Sequence, residues 1–180
     1  MKIDIARALE EDKKIVKTLF TFYIYDLLPF HHNEKIIRIH SDKNSKNNNN
    51  NANIDDDVFE QFNIWWKNPE SIFPFLIKAD NRPIGFFIIS TSPFTHPDVN
   101  YRLRDFFIIN KYRKKNIGEQ VATMIFKEFP GIWELGWLKQ NSAAESFWKK
   151  IVIKNCDSYK NWEYYINQDC HTPGLFFDMR

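Results

Sequence analysis

The segment YRKKNIGEQVATMIF, residues 112–126, joins a basic run to a helical pattern and decides the fold prediction. The basic run ends on a glycine, in the order Arg113, Lys114, Lys115, Asn116, Ile117 and Gly118. Apolar residues then recur at helical spacing, at Ile117, Val121, Met124 and Ile125. Backbone N–H groups and the dipole at a helix N-terminus attract anions, glycine lets a ligand approach, and asparagine tolerates a positive φ. The junction therefore predicts a phosphate-binding loop, or else a solvated basic turn before an ordinary helix.

Composition indicates a globular chain. Its 180 residues fit one domain, and 43% of them are hydrophobic, which is enough for a core. The 25 basic residues against 23 acidic ones give a net charge of +2, so we expect no nucleic-acid partner. The start of the chain lacks a signal-peptide pattern, no apolar run approaches the roughly 18 residues of a membrane span, and the two cysteines form no metal-binding pair. We expect a single cytoplasmic domain over residues 1–180, without a membrane partner or a metal.

Strand and helix patterns surround the opening segment. Upstream of it, the sequence predicts a strand at KIDIARA, a helix from Glu10 to Leu28, a short amphipathic segment at DDVFEQFNIWWKNP, a hairpin of SIFPFLIKAD and PIGFFIIS, and a strand at YRLRDFFIIN. Downstream, it predicts a strand at GIWELGWL, a helix at NSAAESFWKKIV with Ser142 and Glu145 as a capping box, and strands at NWEYYIN and GLFFDMR. The Asn-rich residues 41–57 predict a flexible surface insertion. The fold class is α/β (α+β): a mixed, mostly antiparallel sheet flanked by helices.

Three segments, DFFIINKYRKKNIGEQVA, GIWEL and NSAAESFWKK, together resemble the GNAT superfamily of acyl-CoA-dependent N-acyltransferases. The resemblance spans about residues 71–153. The family signature is Arg or Gln, two residues, Gly, one residue, then Gly or Ala, and here Asn116 replaces the first glycine. The resemblance implies a GNAT-like sheet whose loop amides hold the pyrophosphate of coenzyme A, from Arg113, Lys114, Lys115, Asn116, Ile117 and Gly118 to the start of the helix at Glu119. It also implies that the backbones of Ile108 and Ile109 contact the pantetheine arm.

A second family motif is matched by Asn141, Ala144, Phe147 and Trp148. The resemblance implies that Asn141 contacts the pantetheine or the acetyl end of the coenzyme. Many relatives have a tyrosine where Trp148 stands, and its phenol can protonate the departing thiolate. Because an indole cannot do so at ordinary pH, we interpret Trp148 as a wall of the thioester pocket. The alternative for the apolar residues of this motif is core packing of an amphipathic helix, and the alternative for Asn141 is a turn residue before the helix.

Transfer of an acyl group to an amine needs a proton acceptor, and two carboxylates are candidate catalytic residues. Strict alternation places Asp105 on the same face as Leu103, Phe107 and Ile109, where a covered carboxylate would have a raised pKa. The alternative is an ion pair between Asp105 and Arg102 or Arg104. Glu134 is the second candidate, and its alternative is an exposed strand position.

The resemblance implies an N-acetyltransferase that moves an acetyl group from acetyl-CoA to a primary amine by direct attack. The acceptor would be a small-molecule or peptide amine, and the protein a monomer or homodimer. An aromatic, partly acidic acceptor pocket is expected near Tyr23, Tyr25, Asp26, His31, His32, Trp65 and Trp66. Two other functions stay open: a non-catalytic acyl-CoA-binding module, and a domain that binds an acidic partner through its basic loop.

Overall fold

The computed structural model describes residues 1–30, 37–38, 53–54, 56–167 and 170–180. In these ranges the helices are α1 (Lys13–Leu27), α2 (Asp56–Lys67), α3 (Ile117–Glu128) and α4 (Ser142–Asn155). The strands are β1 (Ile3–Arg7), β2 (Ile37–Arg38), β3 (Asn53–Ile54), β4 (Ile72–Ala79), β5 (Arg82–Ser90), β6 (Tyr101–Ile108), β7 (Ile132–Gly136), β8 (Tyr159–Asn167) and β9 (Cys170–Asp178). Most of the predicted insertion at 41–57 lies outside the described residues, as do His31 and His32.

Seven strands form one sheet in the order β1-β4-β5-β6-β7-β9-β8. Every neighbouring pair in it is antiparallel except β6 and β7, which are parallel. The predicted mixed, mostly antiparallel sheet is therefore confirmed. The parallel pair is short, running only from Tyr101 opposite Trp133 to Leu103 opposite Leu135. Beyond Leu103, β6 continues without pairing to β7, and the two strands leave a gap in the middle of the sheet.

Helices cover both faces of the sheet, because each helix buries one apolar stripe. On one face, α3 and α4 bury Val121, Ile125 and Ile151. On the other face, α1 and α2 bury Phe20 and Trp65. Burial of each large apolar side chain stabilises the fold by about 1.5–3 kcal/mol, so both layers are firmly attached.

A β-bulge in β6 changes the face on which its side chains lie. Asp105 is opposite Ile88 and Leu103 is opposite Ile89, so Arg104 is an extra residue without a partner across the ladder. Leu103 accordingly packs in the cluster under α3 and α4, whereas Phe107 packs under α1 and α2. The expectation from strict alternation was therefore wrong for Leu103. It was right that Phe107 and Ile109 share a face.

Candidate active site

A cavity of about 100 Å³ lies where β6 and β7 part. Side chains from both helical layers and both strands line it: Tyr23, Leu27, Leu103, Arg104, Asp105, Phe106, Leu135, Gly136, Trp137, Leu138, Asn141, Ala144 and Trp148. Four of the predicted catalytic and cofactor-binding residues therefore meet at one place, namely Asp105, Asn141, Ala144 and Trp148. The gap in the sheet lets groups from opposite faces reach a common space.

Asp105 is buried, with only 8% of its surface exposed. Its carboxyl oxygen Oδ2 has no hydrogen-bond partner. Burial raises the pKa of Asp105, while the charge of Arg104, a hydrogen bond with Tyr23 and the charge of Arg102 act in the opposite direction. The cavity thus contains a desolvated carboxyl group that is a stronger base than an exposed aspartate and has one free acceptor atom.

Tyr23 reaches Asp105 from α1. Burial, and then the charge and hydrogen bond of Asp105, raise the pKa of the Tyr23 phenol well above its usual value, so the hydroxyl stays protonated and donates. Its ring packs against Phe86 and Phe107, with centroid distances of 5.6 and 5.9 Å. Sequence reasoning placed Tyr23 in the acceptor region but did not pair it with Asp105. Its spacing of three from Phe20, on the buried stripe of α1, was the available signal.

Glu134 does not line the cavity. It is only 4% exposed, so the alternative of an exposed strand position was wrong. Its Oε1 accepts the backbone N–H of His96 at 3.2 Å and lies 3.9 Å from Nη1 of Arg102. These contacts hold the loop before β6 against the parallel strand pair. A catalytic role for Glu134 stays a prediction.

The basic loop before α3 contains two residues in the left-handed region, Lys114 at φ 58° and Asn116 at φ 63°. Asn116 adopts the backbone conformation that favours the glycine of the family signature, which explains why asparagine suits that position. Its side chain does not cap α3. The first N–H groups of that helix are therefore left for a ligand or solvent. The turn and these N–H groups form the kind of anion site that a helix N-terminus offers to a phosphate.

The side chain of Arg113 holds the loop to the rest of the site. Its Nε donates to the carbonyl oxygen of Ile108 at 2.6 Å, and its guanidinium forms an ion pair with Asp26 at the end of α1. At Ile109, the N–H donates to Ile84 and the carbonyl accepts from Tyr112, both at 2.9 Å. A pantetheine contact at Ile109 would therefore use the second lone pair of a carbonyl that is already hydrogen-bonded.

Gly118 lies in the first turn of α3, against α4. A Cβ placed there would lie 3.1 Å from Cζ of Phe147, tighter than ordinary contact. The close approach of the two helices thus leaves little room for a side chain at this position. Phe147 and Trp148 in turn pack on Phe106, with centroid distances of 6.1 and 5.1 Å. These aromatic side chains form the wall between α4 and β6.

The other predicted cofactor residues have ordinary structural roles in addition. Ile117 is buried in the core, and Lys114 and Lys115 are exposed. The carboxylate of Glu119 is bonded by Lys154 and Lys150 of α4, which lowers its pKa. The side chain of Asn141, not the predicted box of Ser142 and Glu145, caps α4: its Oδ1 accepts the N–H of Ala144 at 3.0 Å. The capping prediction was wrong because the helix begins one residue after an asparagine that can itself bond the third amide.

The expected acceptor residues are only partly brought together. Tyr23 lines the cavity, whereas Tyr25, Asp26, Trp65 and Trp66 do not. Trp65 is fully buried between the helices and the sheet, and Tyr25 is 44% exposed.

Within the described ranges, no helix is long and apolar enough to cross a membrane. The same ranges contain no group of three or more His, Cys, Asp or Glu side chains that could hold a metal ion.

Comparison with solved structures shows the same fold at low sequence identity. An acetyltransferase from Thermus thermophilus is 11% identical, with a TM-score of 0.66 over 97% of this chain and 96% of the other. The PaiA N-acetyltransferase from Thermoplasma acidophilum, in complex with coenzyme A, is 15% identical, with a TM-score of 0.59 over 97% and 98%. The spermidine N-acetyltransferase from Vibrio cholerae, in complex with CoA and spermine, is 9% identical, with a TM-score of 0.60 over 98% and 95%.

Sequence comparison assigns the family. The search of curated proteins finds no match. The acetyltransferase (GNAT) family model matches residues 34–152 of the 180, which include the basic loop, the gap between β6 and β7, and most of α4. The resemblance inferred from three short segments is thereby confirmed. The chain belongs to the acetyltransferase (GNAT) family.

Proposed function

We propose that this protein transfers an acetyl group from acetyl-CoA to a primary amine, by direct attack of the amine on the thioester. The observation that carries the proposal is the cavity where β6 and β7 part, which holds a buried carboxyl group with a free acceptor atom, Oδ2 of Asp105. The sheet around it takes strands from Ile3 to Asp178, which supports a single domain over residues 1–180.

The chain's own groups fit coenzyme A at the loop before α3. The uncapped first turn of α3 presents N–H donors, and the left-handed turns at Lys114 and Asn116 shape the approach to them. Two exposed lysines, Lys114 and Lys115, add positive charge beside these donors. Coenzyme A bound there would supply the activated acetyl group as a thioester. Support comes from the family match and from neighbours of the same fold that were solved with CoA.

Asp105 is the proposed general base. An amine that arrives as an ammonium ion loses one proton to the carboxylate, directly or through a water molecule, and Asp105 later releases this proton to solvent. The neutral amine nitrogen then bonds to the acetyl carbon as the carbon–sulfur bond breaks, and the sulfur leaves with the electron pair. The proton that the nitrogen loses on forming the amide passes through water to the sulfur. Trp148 supplies no proton, because an indole N–H does not ionise at ordinary pH, so it encloses the reacting groups instead.

Thermal unfolding with acetyl-CoA tests the first half of the proposal. Acetyl-CoA at 100 times its Kd should stabilise the protein by about 2.7 kcal/mol, and free CoA should do nearly as well if the phosphates dominate binding. No shift at millimolar acetyl-CoA would overturn the proposal and would favour a domain that binds an acidic partner. Thiol release with a panel of primary amines tests the second half. Binding without thiol release for any amine would instead indicate a non-catalytic acyl-CoA-binding module.

A further inference from the structure

Three buried polar atoms in the residues that line the cavity have no hydrogen-bond partner. They are Nε of Arg104, Oδ2 of Asp105 and Nε1 of Trp137. Leaving a buried polar atom without a partner destabilises the fold, and such atoms often mark the place of a ligand. Two of the three are donors and one is an acceptor. A complementary ligand therefore offers hydrogen-bond acceptors close to a donor.

Arg104 gives the cavity a guanidinium whose Nε atom has no hydrogen-bond partner. Among the described residues it forms no ion pair, whereas the neighbouring Arg102 lies within ion-pair distance of Glu134. Burial lowers the pKa of Arg104, because the guanidinium is partly removed from water; the charge of Asp105 acts in the opposite direction, and the like charge of Arg102 adds to the lowering. A desolvated cation is costly unless an anion accompanies it. The cavity wall is thus suited to a negatively charged group on the ligand.

The bulge in β6 explains why Arg104 and Asp105 both reach the cavity. Consecutive side chains of a regular strand point to opposite faces, but the extra residue in the bulge breaks this alternation. A cation and a carboxyl group one residue apart therefore line the same space. An α-amino acid carries an amine and a carboxylate on one carbon atom, and these two charges are complementary to the carboxyl group and the cation of the cavity.

We propose that the acceptor is an α-amino acid whose carboxylate binds the Arg104 guanidinium while its amine faces Oδ2 of Asp105. The inference rests on the proposed function and names its substrate class. Planar guanidinium and carboxylate groups pair through two charge-assisted hydrogen bonds, and Trp137 offers a further donor to the same carboxylate. A polyamine brings no anion to Arg104 and adds like charge. This substrate class falls within the small-molecule or peptide amines that the sequence led us to expect.

The test compares amino acids with the amines that remain when the carboxylate is removed. Suitable pairs are alanine and ethylamine, phenylalanine and 2-phenylethylamine, and lysine and cadaverine, with thiol release as the readout. We expect kcat/KM to be at least roughly tenfold higher for the amino acid in one or more pairs. In Arg104→Met, kcat/KM for that amino acid should fall by roughly tenfold to a hundredfold, the range of a lost hydrogen bond to a charged group. At a pH above the acidic limb of both profiles, this loss should be at least roughly tenfold larger than the loss for the matched amine, because removal of the Arg104 charge alters the pKa of Asp105 equally for both.

A matched variant and three contrary results make the test decisive. Arg82→Met removes an exposed arginine at the start of β5 and should leave the preference intact. Equal kcat/KM for both members of every pair would overturn the inference. So would an equal loss on both members in Arg104→Met, which would mean that Arg104 acts on the thioester or through Asp105. Arg104→Gln is a second variant if the first does not fold. Failure to bind acetyl-CoA would overturn the proposed function itself, whereas binding with turnover of simple amines alone would overturn only this substrate class.

Discussion

The Tyr23 hydroxyl in α1 and the Asp105 carboxyl in β6 form a hydrogen bond inside the cavity. The bond connects a helix of one layer to the gap in the sheet. Burial raises the pKa of Asp105, and the Tyr23 bond partly counteracts this effect. Tyr23 is therefore a positioning residue that helps to keep the proposed base ionised.

Tyr23→Phe should move the acidic limb of the kcat/KM profile to higher pH. Asp105 acts as a base only when it is ionised, and loss of the hydrogen bond removes an influence that lowers its pKa. The ring contacts with Phe86 and Phe107 remain in the variant. A pH profile of thiol release measures the change. Tyr25→Phe, at an exposed position on the same helix, is the control. An unchanged acidic limb in Tyr23→Phe would show that the hydrogen bond does not influence the pKa of Asp105.

Asp105→Asn should abolish turnover and yet stabilise the fold at neutral pH. Because the pKa of Asp105 is raised in the folded state, its ionised form is disfavoured there. The destabilisation is complete above the folded pKa and disappears as the pH falls toward the unfolded value of about 3.9. Unfolding by denaturant should therefore give a higher free energy of unfolding for the variant than for the parent protein at neutral pH. This difference should become smaller as the pH is lowered. A variant less stable than the parent at pH 8 would contradict the role assigned to burial.

Asn116→Gly should retain the affinity for CoA, and Asn116→Val should weaken it. The position has φ 63°, which glycine adopts freely and a β-branched residue adopts at a cost of about 1–3 kcal/mol. The strain in the valine variant would distort the turn before α3 and displace its first N–H groups. Calorimetric titration with CoA measures both variants. Equal affinity of the glycine and valine variants would show that the left-handed turn does not matter for binding.

Gly118→Val should lower both the stability and the affinity for CoA. The added side chain meets the ring of Phe147. Such overpacking typically costs about 1–3 kcal/mol. Denaturant unfolding measures the loss. In a Phe147→Ala background, Gly118→Val should lower the free energy of unfolding by less than it does in the parent protein. An additive result would mean that the two side chains do not compete for space.

The order of strands and helices could be predicted because each element has its own local pattern. Val121 and Ile125 repeat at helical spacing, and the hairpin strands are continuous apolar runs joined by turn residues. The suitability of Asn116 for a positive φ was also readable, since few residue types tolerate it.

The arrangement within the cavity could not be predicted in the same way. The side on which Asp105 lies depends on the bulge at Arg104, and no residue type marks a bulge in advance. The partnership of Tyr23 and Asp105 joins distant parts of the chain, so it follows from the packing of α1 on the sheet rather than from a local pattern. That Nε of Arg104 lacks a hydrogen-bond partner is visible only when all its neighbours are known.

The ion pair between Arg113 and Asp26 has a practical consequence for engineering. A grafted first helix, taken from another acetyltransferase to alter acceptor choice, would need an acidic side chain at position 26. Without it, Arg113 would keep its hydrogen bond to Ile108 but lose its ion pair with the first helix. A graft intended to change the acceptor would then also disturb the loop proposed to bind coenzyme A.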